Sequence, residues 1–102
     1  MAISASMRDS EKLVEHTLVM QIKAAGGMCI KLLSYQFIGL PDRLCLLPGH
    51  KIAFVELKTT GMKPRKIQHV VHNSIRELGF RVEVIDSVSG VYEFIKSFKN
   101  EV

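Results

Sequence analysis

An α/β sandwich around a central mixed sheet, with element order αβββαβα, is the fold class this sequence predicts. Three observations predict it: two segments with apolar residues at helical spacing, an apolar hairpin folded about Pro48-Gly49, and further short apolar runs bounded by glycine.

The first helix is predicted over Ser6 to Ala25, where Val14, Leu18, Ile22 and Ala25 recur on one face and Gly26-Gly27 closes the helix. Met28 to Leu33 then reads as a buried strand. Arg43 to Leu47 and Ile52 to Lys58 form the hairpin, because proline and glycine are turn formers. A loop around Gly61 and Pro64 leads to a second helix, whose Ile67, Val70, Val71, Ile75 and Leu78 make an apolar stripe expected to face the core. Gly79 suits its left-handed C-terminal position. Phe80 to Ile85 is the next strand. Val91, Tyr92, Phe94, Ile95 and Phe98 form a short third helix whose start Gly90 leaves open.

Length and composition narrow the functional classes. With 102 residues, 47% of them hydrophobic, the chain fits a single domain, 1–102, that buries its own core. No apolar run approaches the roughly 20 residues of a membrane span, and no signal-peptide pattern opens the chain, so the expected setting is the cytoplasm, with no membrane partner. Cys29 and Cys45 lie in apolar strand segments and are expected as buried, reduced thiols. The formal net charge of +4 favours a polyanionic partner, but proteins with no nucleic-acid role share such a balance.

The hairpin holds the chemistry. Pairing Leu47 with Lys51 sets Asp42 opposite Glu56, a register that requires an odd loop or a bulge. Directly opposed Cβ atoms lie roughly 5 Å apart, so two carboxylates there repel unless a cation lies between them. Lys58 continues the same face by the period of two, beyond Leu44, Leu46, Ile52 and Phe54, which are expected to be buried. Glu11 and Glu15 project beside Leu18 and Ile22, where either can supply a third carboxylate; the ordinary alternative is stabilisation of a helix start by negative charge.

Lys58, Lys63, Arg65 and Lys66 crowd the approach to the second helix. Positive charge opposes the helix dipole there, yet a phosphate can be held jointly by those side chains and the free backbone N–H groups. The ordinary alternative is a solvated loop. Lys31 either contacts phosphate or covers a strand edge. Gln68 can reach the acid pair from the second helix. His69 and His72, at i and i+3, are expected on the surface rather than in a zinc site, because no further soft ligand is near.

Together, Gly39-x-Pro41-Asp42, Glu56-x-Lys58 and Gln68 resemble the VRR-NUC branch of the PD-(D/E)xK nuclease superfamily. The resemblance covers nearly the whole chain, including Ala24-Ala25-Gly26-Gly27, Lys31 and Leu78-Gly79-Phe80. It implies a restriction-endonuclease-like sandwich and a DNA endonuclease dependent on Mg²⁺ or Mn²⁺. Asp42, Glu56 and the Leu57 carbonyl would be metal ligands, and Lys58 the catalytic lysine. The helix glutamate of the family corresponds by spacing to Glu15 rather than Glu11, with both present. Small free-standing members look like phage proteins and resemble archaeal Holliday-junction resolvases, which implies a branched DNA substrate, a homodimer and the host cytoplasm. Action on flaps or ordinary duplex, or nucleic-acid binding without catalysis, are the competing expectations.

Overall fold

In a computed structural model that describes residues 8–102, helix α1 (Glu11–Ala24) starts at Ser10, whose hydroxyl accepts the Leu13 N–H at 3.1 Å. The start expected at Ser6 lies outside the described residues, and residues 8–10 precede the helix. The cap explains the later start: a serine hydroxyl satisfies an N–H that has no partner inside the helix.

Strands β1 (Met28–Lys31), β2 (Arg43–Leu47) and β3 (Lys51–Leu57) follow, then α2 (Lys66–Glu77), β4 (Arg81–Ile85) and α3 (Val88–Lys99). This is the expected order, αβββαβα, around a mixed sheet. The strands lie in the order β1-β2-β3-β4, with β1, β2 and β3 antiparallel and β4 parallel to β3. Leu47 pairs with Lys51 and Arg43 with Val55, so the hairpin has the odd three-residue loop that the acid pair needs. Gly79 follows the end of α2 at φ +94°, the left-handed position expected of it. Ser87 caps α3 by accepting the Gly90 N–H at 3.0 Å, which resolves the start that Gly90 left open.

The continuous apolar core lies on one face of the sheet. Val14, Leu18 and Ile22 of α1 and Val91, Phe94, Ile95 and Phe98 of α3 meet Cys45, Leu47, Ala53, Val55, Leu57 and Ile85 from the strands. Arg81 spreads over the Phe94 ring, 5.1 Å from its centroid, and is held by Glu83 and Glu101. Cys45 is buried, whereas Cys29, expected to be buried too, is only half-buried, with its sulfur 3.9 Å from that of Cys45.

The other face corrects two expectations. Leu44, Leu46, Ile52 and Phe54, on the same face as the acid pair, are half-exposed rather than buried. More consequentially, the apolar stripe of α2 is split: Ile67 is 40% exposed, Val70 56% and Leu78 76%, Val71 and Ile75 are half-buried, and the buried residues of the helix are Gln68 and His72. Helix α2 thus turns Gln68 and His72 inward with Val71 and Ile75 half-buried beside them, and leaves Ile67, Val70 and Leu78 outward. No helix among the described residues is long and apolar enough to cross a membrane.

Candidate active site

Asp42 and Glu56 meet where β2 begins and β3 ends. Gly39, at φ +93°, lets the chain enter β2 pressed against α2: a Cβ there would stand 2.7 Å from a Val71 methyl and 2.9 Å from the Ile67 carbonyl oxygen. The buried Pro41 follows, and Asp42 Oδ2 then accepts the Leu57 N–H at 2.7 Å. That bond locks the aspartate across the hairpin beside Glu56.

Glu56 is 1% exposed. Its Oε2 accepts from Gln68 Nε2 at 2.7 Å and lies 3.2 Å from Lys58 Nζ, while Oε1 has no hydrogen-bond partner. Burial pushes its carboxyl above the usual range, and the neighbouring Asp42 charge pushes the same way. Asp42 is likewise raised by burial, against the lowering pull of the Leu57 N–H and Lys58. Each acid therefore holds its negative charge at a free-energy cost that a cation between them would offset.

Gln68 connects this pair to α2. Its Oε1 accepts the Arg65 N–H at 2.7 Å at the helix start, and this leaves its Nε2 to donate to Glu56. Glutamine is suited to that position because a single amide carries both an acceptor and donors. His72 lies one turn further along the same face, fully buried, with Nε2 3.8 Å from Glu56 Oε1. Its expected surface position is thus incorrect, and burial lowers its pKa, which favours the neutral imidazole. The helical spacing of Gln68 and His72 was the available signal, and the apolar stripe beside it obscured that signal.

Glu15 of α1 is tied to Arg43, whose Nε and an Nη both lie 3.0 Å from Oε2. Sequence reasoning missed Arg43, which also donates to the Cys29 carbonyl at 3.2 Å. Of the two helix glutamates, Glu15 is the one whose charge Asp42 feels, while Glu11 is exposed. Among the described residues no group of three or more His, Cys, Asp and Glu side chains stands ready-assembled to hold a metal ion. Lys63, Arg65 and Lys66 are exposed on the approach to α2, and Lys31 is exposed at the end of edge strand β1.

No family model matches the sequence. A solved structure described as a VRR_NUC domain, however, superposes with a TM-score of 0.78 at 32% identity, covering 88% of this chain and 99% of its own. This chain belongs to the VRR-NUC nuclease family. A VRR-NUC assignment accounts for the element order. The chain is also 42% identical over 77 residues to p44 of Acyrthosiphon pisum secondary endosymbiont phage 1, a protein named as a nuclease; the match spans 76% of this chain and 83% of that one.

Proposed function

We propose that this VRR-NUC protein is a divalent-metal-dependent DNA endonuclease that cuts branched DNA, with four-way junctions as the preferred substrate. The observation that carries the reading is the acid pair: half-buried Asp42 beside buried Glu56, both raised by burial, with Glu56 Oε1 unpartnered. Hard carboxylate oxygens with unmet charge fit Mg²⁺ or Mn²⁺, and their chemistry does not fit a soft-metal site.

Asp42 and Glu56 would hold the ion. The Leu57 carbonyl joins them as a backbone ligand, since in an antiparallel ladder both backbone groups of a residue face the same neighbour, and the Leu57 N–H faces Asp42. Glu15 is the fourth candidate, shared with Arg43. When bound, such an ion neutralises phosphate charge and acidifies a water. Lys58, anchored on Glu56, orients the attacking water or stabilises charge on the phosphate in the transition state. Gln68 holds Glu56 in place, and Lys63, Arg65, Lys66 and Lys31 grip the DNA backbone through phosphates, which carry no sequence information.

Two symmetric nicks call for two sites, and hence for a C2 homodimer. Helix α3 buries Val91, Phe94, Ile95 and Phe98 against the core and leaves Tyr92 52% exposed. The better surface is the segment before Gly39, where Tyr35, Phe37 and Ile38 are 76%, 60% and 65% exposed, with Phe37 lining an apolar hollow of about 310 Å³ together with Leu40, Val71 and Leu78. The test is a set of labelled linear duplex, flap, splayed and four-way DNAs incubated with Mg²⁺, Mn²⁺, Ca²⁺ or EDTA, with mass determined by light scattering. Paired cuts in the junction by a dimer, with Mg²⁺ or Mn²⁺ alone, are expected. Cleavage in EDTA would refute the metal reading, and equal rates on linear duplex would refute the junction preference.

A further inference from the structure

Among the described residues, three buried side-chain polar atoms lack any hydrogen-bond partner: Glu56 Oε1, His72 Nδ1 and His72 Nε2. Two of them face each other, with His72 Nε2 3.8 Å from Glu56 Oε1. A buried polar group left unpaired is destabilising, and an imidazole N–H and a carboxylate oxygen are natural partners. Their separation exceeds a hydrogen bond by only about 1 Å, which a small side-chain rotation closes. No other described group competes for Oε1, because Gln68 Nε2 and Lys58 Nζ both lie against Oε2.

Gln68 and His72 stand four residues apart, on adjacent turns of one face of α2. They are also the two fully buried residues of that helix, with Val71 and Ile75 of its apolar stripe half-buried beside them. A helix whose deepest side chains are a glutamine and a histidine, with Val70 and Leu78 outside, is oriented in part by what those two polar groups do.

We propose that His72 is a positioning residue for Glu56: as the Nε2–H tautomer it donates to Oε1 and, with Gln68 on Oε2, clamps both oxygens of the carboxylate. This deepens the reading of Glu56 as a metal ligand and rests on it. A neutral imidazole carries a single N–H, and the partner of one nitrogen sets which nitrogen holds it. His72 also lines a hollow of about 290 Å³ with Lys63, His69 and Arg76. A clamped carboxylate keeps its remaining lone pairs in a fixed direction, whereas one held at a single oxygen swings about that point.

Two measurements on the full chain test this. In ¹⁵N spectra of the imidazoles without metal, the signal that disappears in His72→Gln identifies His72. It is expected as the Nε2–H tautomer, with an Nε2 shift that moves in Glu56→Gln. An Nδ1–H tautomer, or a shift indifferent to Glu56→Gln, overturns the proposal. The second is Mn²⁺ affinity by electron paramagnetic resonance without DNA. His72→Leu should weaken binding about tenfold, the lower end of what losing a ligand's supporting partner does. His72→Gln, which restores a donor at the Nε2 position, should stay within about threefold of the parent on the same scale. Equal loss in both variants, or no loss in either, overturns the proposal. A parent that fails to bind Mn²⁺ would instead remove the metal reading, while the tautomer spectrum still decides whether His72 donates to Glu56.

Discussion

Between the sheet and helices α1 and α3 lie Leu18, Ile22, Val55 and Phe98, all fully buried and without a polar side-chain atom; across the same strands, α2 meets the sheet through Glu56, Gln68 and His72. The first face gains stability from apolar area removed from water. The second buries a carboxylate beside another carboxylate and leaves three polar atoms unpartnered, which burial alone disfavours. One sheet thus separates the work: the dry face holds the fold, and the polar face keeps charge in a place where a cation can use it. Lys58, Gln68 and Asp42 all belong to the second face or its rim, so changes on the two faces should be separable by experiment.

The largest expected effect breaks the polar face alone. Asp42→Asn and Glu56→Gln should each reduce cleavage by roughly a thousandfold, on the scale of losing an electrostatic group aimed at the reacting phosphate. Their thermal melts should stay cooperative, and DNA binding should persist. Near-parental cleavage by either variant under saturating metal would remove that residue from the proposed ligands.

Next comes the reverse experiment on the dry face. Phe98→Ala should cost about 3–5 kcal/mol of stability in chemical denaturation, because a buried aromatic leaves a cavity its neighbours cannot fill. Cleavage per folded molecule should be unchanged, and a parallel loss of activity would show that the two faces are coupled. A smaller effect is expected at the rim. Neutralising Lys63, Arg65 and Lys66 should weaken binding to every DNA shape alike, and each side chain that no longer neutralises a phosphate should lower the log-log salt slope by about 0.9. An unchanged slope would put the DNA elsewhere.

The smallest effect is the dependence of stability on pH without metal. A carboxyl whose folded-state pKa is raised binds more protons folded than unfolded. Its contribution is therefore full below the unfolded pKa and is lost as pH rises through the folded one. Asp42 and Glu56 both carry this sign, from burial first. His72 has the opposite sign, its lowered pKa giving stability that is lost as pH falls, but Glu56→Gln retains it. Between parent and Glu56→Gln, the stability difference should move in favour of the variant as pH rises above the ordinary carboxylate range. A difference that is flat with pH would mean Glu56 is not burdened by its charge.

Much of this was legible in the sequence. Helical spacing found all three helices, the Pro48-Gly49 turn found the hairpin, and the odd register carried Asp42 to Glu56. The motif from Gly39 to Gln68 led to the family that the structural likeness shows. Strand and helix ends were less legible, because they depend on single caps such as Ser10 and Ser87.

By itself the sequence determined the order of elements, the hairpin register and the meeting of two acids with a lysine, since these follow from local periodicity and the geometry of a short turn. Only the tertiary structure decided which side of α2 turns inward, that Arg43 takes Glu15, and that His72 is buried against Glu56. The physical reason is that an apolar stripe states which side of a helix avoids water but not what will cover it. At α2, hydrogen bonding from Gln68 to a buried carboxylate takes the inward position beside the half-buried Val71 and Ile75, and Ile67, Val70 and Leu78 are left on the outside.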